Sequence, residues 1–223
     1  MFDLEKEFYA ILCEFNDKDI LKHFVVIGSW VLIIYKYNYS ISGFQFTTSD
    51  VDFSVIKPHK ISNENLPSVH KILSNLGYAP QLSCLNSSEN YIPAVDNVVN
   101  NLTIEFLTEQ GRFVKEPYFI KGMNIKASPL AFQDFLLKNI IKVKYHNIIV
   151  NVPAPAVWAV HKIAISQQRQ GKTASLKSMK DLQGAKVILD WLGEDELLKI
   201  AQNLRGKLLS FFKRGWDKIG NGK

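Results

Sequence analysis

Phe24–Val55, FVVIGSWVLIIYKYNYSISGFQFTTSDVDFSV, decides the reading of this 223-residue chain. A β-rich apolar run, Phe24-Val25-Val26-Ile27, breaks at Gly28-Ser29. A helix-capable stretch follows from Trp30 to Tyr37, and a second short run carries Thr48-Ser49-Asp50-Val51-Asp52-Phe53. Successive side chains on a strand point to opposite faces. Asp50 and Asp52 therefore share one face, while Val51, Phe53 and Val55 pack inward on the other. Two carboxylates so placed repel each other, and a divalent cation bridging them would relieve the repulsion. Hard cations such as Mg²⁺ take oxygen ligands, usually one or two carboxylates plus substrate phosphates. An Asp-x-Asp on an exposed strand face is common, and alone it is more often solvated than metal-binding. Here the pair follows strand, Gly-Ser and helix, and aspartate is depleted in strands, so two in an otherwise apolar strand call for a reason.

Outward from this core, residues 2 to 22 read as a helix with Phe2, Phe8, Ile11, Leu12 and Phe15 on one face, stopping near Asn16-Asp17. Lys57-Pro58-His59 reads as a loop. A helix is expected from Asn65 to Leu76, capped by Gly77. Residues 78 to 101 are rich in Asn and Ser, with a strand near Tyr91 to Pro93. Leu102-Thr103-Ile104-Glu105-Phe106-Leu107 alternates cleanly. Leu102, Ile104 and Phe106 take one face, and Thr103 and Glu105 the other. Glu105 is then either an exposed strand acid or a third ligand beside Asp50 and Asp52, and the ordered set favours the ligand.

Leu130 to Ile141 reads as helix and Val143 to Val152 as one or two strands. Pro153-Ala154-Pro155 marks a boundary, because proline cannot continue a ladder and suits the first turn of a helix. Three helices are expected beyond it, about 155 to 169, 178 to 192 and 194 to 212, with Gly171 and Gly193 in the breaks. The fold class is α+β, a mixed sheet flanked by helices and followed by a helical subdomain. The domains are 1–152 and 153–223. In the helical part, Lys162 sits between apolar residues and suits phosphate. Arg169 and Lys177 are as readily a solvated cationic face. Asp181, next to Lys180, would pair with a cation or cap a helix rather than bind metal. His161 reads as packing or capping. Lys207, Lys213, Arg214 and Lys218 read mainly as a solvated helix face, with a nucleic-acid grip as the minority reading.

Composition sets the outer limits. Hydrophobic residues make up 47% and charged residues 22%, ordinary for a globular chain with a real core. A net charge of +6 and a pI near 9.1 suit a polyanionic partner such as a nucleotide or nucleic acid. Cys13 and Cys84 are too few and too far apart for a disulfide scaffold. The acidic start, Met-Phe-Asp-Leu-Glu-Lys-Glu, does not read as a signal peptide. The longest apolar run is broken by Gly-Ser and too short to span a bilayer. The expectation is a cytoplasmic protein with no membrane partner.

Gly28-Ser29, Asp50-x-Asp52 and a strand-borne third acid together resemble the nucleotidyltransferase superfamily of the polymerase-beta-type fold. Pro153-Ala154-Pro155, His161-Lys162, Arg169 and Lys180-Asp181-Leu182 with Gln183 and Ala185 resemble one bacterial branch of it, whose distant kin include toxins of toxin–antitoxin systems. The resemblance spans most of residues 24 to 192. It departs in the gap of more than twenty residues between Gly28 and Asp50, and residues 78 to 101 do not align. It implies catalysis and metal binding by Asp50, Asp52 and Glu105, and nucleotide binding at Gly28, Ser29, Ser49, Lys162 and Lys180. The implied cofactor is Mg²⁺ or Mn²⁺. The implied reaction moves a nucleoside monophosphate from an NTP to an acceptor hydroxyl, on a protein, a tRNA or a small molecule, with pyrophosphate released. An antitoxin-type partner is a further implication. Two other readings stand beside it: a non-catalytic member that binds nucleotide or a partner, and a basic nucleic-acid-binding module whose binding would fall steeply with salt.

Overall fold

Two parallel strands at the centre of a mixed sheet carry the acids. The structure, a computed structural model, describes residues 2–39, 41–44, 48–82, 89–94, 101–110, 116–168 and 172–220. Helix α1 (Phe2–Asp17) and a 3₁₀ turn (Leu21–His23) lead into β1 (Phe24–Val26). Then come α2 (Val31–Tyr39), β2 (Asp50–Val55), α3 (Pro58–Ile61), α4 (Val69–Asn75), β3 (Tyr78–Leu82), β4 (Glu89–Pro93) and β5 (Thr103–Glu109). The sheet runs β1-β2-β5-β4-β3, and β7 (Ile125–Leu130) pairs with both β5 and β6 (Tyr118–Ile120). β2, β5 and β7 are parallel; β1 and β4 are antiparallel to their neighbours. The class is α+β, as the sequence indicates.

Helix α5 (Gln133–Leu137), the hairpin β8 (Ile140–Tyr145) and β9 (Ile148–Pro153), and helices α6 (Pro155–Ser166), α7 (Lys172–Leu192), α8 (Glu194–Ala201) and α9 (Gly206–Gly220) complete the described chain. The chain forms two compact units. One comprises Met1–Val31, Phe46–Gln133 and Lys142–Val152; the other comprises Leu32–Gln45, Asp134–Ile141 and Pro153–Lys223.

In the first unit, the alternation of β1, β2 and β5 puts Phe24, Phe53 and Phe106 on one face, all buried. Phe15 of α1 joins them, with ring centroids 5.2 Å from Phe24 and 5.5 Å from Phe53. Phe24 and Phe106 are 5.4 Å apart. Aromatic pairs at such separations contribute about 0.5–1.5 kcal/mol beyond their buried area. This cluster fixes the pleat, so the acids of β2 and β5 must occupy the opposite face. The Glu7 carboxylate of α1 accepts hydrogen bonds from the backbone of Asn101 and Leu102 and from the Tyr78 hydroxyl, and so ties down the entrance to β5.

In the second unit, α6 packs against α7, α8 and α9. Trp158, Val160, Ile163 and Ala164 of α6 are buried, as are Ala185 and Ile188 of α7. Pro155 occupies the first turn of α6, as the Pro-Ala-Pro boundary signal implied.

Several local expectations shift. Pro58 starts a one-turn helix where a loop is expected, and Lys57 takes a left-handed φ of 48° before it. The helix expected from Asn65 begins only at Val69, with Ser68 as N-cap accepting from Lys71 N. Leu130 to Ile141 is a strand end, a five-residue helix and a second strand start rather than one helix. The helix expected over 194 to 212 is two, broken where Gly206 turns with φ of 57°. Arg169 and Gly171 lie outside the described residues.

Candidate active site

The site grows from strand register. Asp52 of β2 pairs with Glu105 of β5, and Asp50 pairs with Thr103. Adjacent strands lie about 5 Å apart and paired residues point the same way. Asp52 and Glu105 therefore stand side by side on the face opposite the phenylalanines, with Asp50 one repeat earlier on β2. Asp50 is exposed; Asp52 and Glu105 are half-buried. Among the described residues, no group of three or more His, Cys, Asp or Glu side chains is placed to hold a metal ion, and Asp50, Asp52 and Glu105 do not converge into one.

The glycine of the first break explains part of this geometry. A Cβ placed on Gly28 would lie 1.8 Å from Asp52 Oδ2. The Asp52 carboxylate thus rests directly against the turn, in space that only glycine leaves open. The backbone reinforces the contact, because Ile27 N donates to Asp52 O at 3.1 Å. Ser29 follows in the turn, and α2 begins two residues on. The Thr48-Ser49 segment is fixed from the other side. Asp50 N donates to Thr48 Oγ1 at 3.1 Å, and Thr103 N donates to Ser49 O at 2.9 Å.

Sequence reasoning missed Asn90. It pairs with Glu105 across β4 and β5, and its side-chain amide donates to Glu105 Oε1 at 2.9 Å. The amide orients that carboxylate. Nothing local marks Asn90 in its Asn- and Ser-rich stretch; only the strand pairing gives it a role.

The cations expected to bind nucleotide are in the helical unit. Lys162 is buried in α6, and its ammonium donates to Asp181 Oδ1 of α7 at 2.8 Å. The same ammonium lies 5.6 Å from the Trp158 ring centroid. Lys180 and Lys177 are exposed on α7, and His161 is buried in α6.

Strand, Gly-Ser turn, helix, Asp-x-Asp strand and a third acid in register form one arrangement, and a family model described as nucleotidyltransferase matches residues 6–207. The chain belongs to the nucleotidyltransferase family. Two solved structures of the antibiotic-resistance factor ANT(2″)-Ia are similar in fold to this nucleotidyltransferase. A solution structure matches with a TM-score of 0.50 at 8% identity, over 97% of this chain and 95% of that one. A crystal structure in complex with adenylyl-2″-tobramycin matches with a TM-score of 0.51 at 8% identity, over 96% and 99%. No curated protein sequence matches. Among the described residues of this nucleotidyltransferase, no helix is long and apolar enough to cross a membrane.

Proposed function

We propose that this nucleotidyltransferase moves a nucleoside monophosphate from an NTP to an acceptor hydroxyl, with pyrophosphate released, on the face bearing Asp50, Asp52 and Glu105 and with Mg²⁺ or Mn²⁺ as cofactor. The register of Asp52 with Glu105 carries the reading. Carboxylates held side by side repel unless something cationic lies between them, and an all-oxygen donor set suits a hard divalent ion. Mg²⁺ takes most of its shell from water and substrate phosphates and needs only one or two protein carboxylates, which the paired Asp52 and Glu105 would offer. When bound, such an ion neutralises phosphate charge and activates the attacking oxygen.

The protein's own residues supply the positioning on which phosphoryl-type transfer depends. Asp50, Asp52 and Glu105 would hold the ion. Asn90 holds Glu105 in one orientation, and Gly28 admits Asp52 against the turn. Backbone N–H groups at Gly28-Ser29, ahead of α2, are suited to an anionic phosphate. The likeness to an adenylyl-2″-tobramycin complex agrees with transfer of a nucleotidyl group to an acceptor.

The test is label transfer from α-labelled NTPs into a cell extract. The expected result is metal-dependent labelling that Asp52→Asn reduces at least a hundredfold, on the scale of losing one electrostatic contact to the transition state. Labelling that Asp52→Asn leaves intact would place the chemistry elsewhere.

A further inference from the structure

We propose that the outer face of α9 is a binding strip for a single-stranded polynucleotide. A helix turns about 100° and rises about 1.5 Å per residue. Lys207, Phe211, Arg214 and Lys218 therefore fall within about 60° of one another, on a stripe roughly 16 Å long. All three cations are exposed, and among the described residues none makes an ion pair. The one acid of α9, Asp217, lies about a quarter turn away from the stripe, and Lys213 about a third of a turn.

The stripe is more than a row of charge. The Arg214 guanidinium lies 4.9 Å from the Phe211 ring centroid, so the ring steadies a flat cation between two lysines. Arginine planes and aromatic rings are the surfaces on which unpaired bases stack, while flanking cations follow the phosphates. A duplex would offer phosphates to the lysines but no base face to Arg214.

A basic amphipathic helix can also lie on an anionic membrane, by burying its apolar face there. In α9 that face is already used. Leu208 and Phe212 are buried, and a Cβ on Gly215 would come within 2.4 Å of Ile163 O in α6. Leu209, Trp216 and Ile219 are half-buried beside them, so the charged stripe is the exposed side of α9, and like charges in a row favour a polyanion.

Binding is measured by fluorescence anisotropy of a labelled twelve-nucleotide single-stranded RNA with the full chain, without NTP and with EDTA, so the result is independent of nucleotidyl transfer. Three phosphate contacts predict a salt slope of about −2, or roughly a twentyfold loss of affinity between 50 and 200 mM salt. The triple variant Lys207→Gln, Arg214→Gln, Lys218→Gln should abolish that binding while keeping the circular dichroism of the parent. Lys213→Gln should change affinity less than twofold. Binding that survives the triple variant, equal loss in Lys213→Gln, no binding at 50 mM salt, or capture by anionic vesicles in place of RNA would each overturn the proposal.

Discussion

The Asp52–Glu105 face and the Lys162–Asp181 pair are two ways of holding a carboxylate. Asp181 is buried, and its charge is answered by a lysine from a neighbouring helix. Asp52 and Glu105 are brought together by strand pairing and left half-exposed, with a glycine turn beneath one and an asparagine amide on the other. In the first arrangement opposite charges are buried together. The second gathers like charges on a half-exposed face, where the proposed cation and phosphate would bind.

The largest effect should come from breaking the closed pair. Lys162→Met leaves the Asp181 charge buried without its lysine and should cost about 3–5 kcal/mol of stability. The double variant Lys162→Met, Asp181→Leu should recover most of that loss, because removing both charges of a buried pair is often neutral. Urea unfolding of both variants checks this. A single variant as stable as the parent would show that the pair is solvated rather than closed.

On the acid face the balance should reverse. Asn90→Ala removes only an orienting amide from the proposed ligand Glu105, so transfer activity should fall about ten- to a hundredfold, the scale of lost support to a metal ligand. Its unfolding midpoint should move far less than that of Lys162→Met. Equal effects of Asn90→Ala on stability and on activity would erase the distinction between the two regions.

How much of this could be read from the residues follows from the range of the signals. β2 and β5 were legible because their alternation is local: Val51 and Phe53 against Asp50 and Asp52, Ile104 and Phe106 against Glu105. β3 was not, because Pro80 and the polar run after it hide a strand held by β4. β7 was masked by Lys126, Ser128 and Pro129 among its apolar positions. The carboxylates were found by type and spacing. Asn90 and the seating of Asp52 on Gly28 were not, since both depend on strands meeting across the sheet. Lys162 stood out as a cation between apolar residues, but its tie to Asp181 needed the packing of α6 on α7.

The smallest expected effect concerns pH. Burial lowers the pKa of His23, with the Glu64 charge opposing in part. Its Nε2 is buried and, among the described residues, without a hydrogen-bond partner. Protonation therefore favours the unfolded chain, which binds more protons as the solution is acidified. The stability His23 contributes is full above its ordinary pKa of about 6.5 and is lost as pH falls below it. His23→Gln should flatten the stability profile between about pH 7 and pH 5. An unchanged slope would mean that another group sets the acid limb.

The most direct test of the acid face is calorimetric titration of Mn²⁺ in the presence of a non-hydrolysable NTP. The parent protein should give a clear binding signal, and Asp50→Asn and Asp52→Asn should each lose most of it while remaining folded. Lys162→Met, Asp181→Leu should keep the signal. Metal-dependent nucleotide binding that is unchanged in both aspartate variants would contradict the assignment of Asp50, Asp52 and Glu105 as the centre of the site.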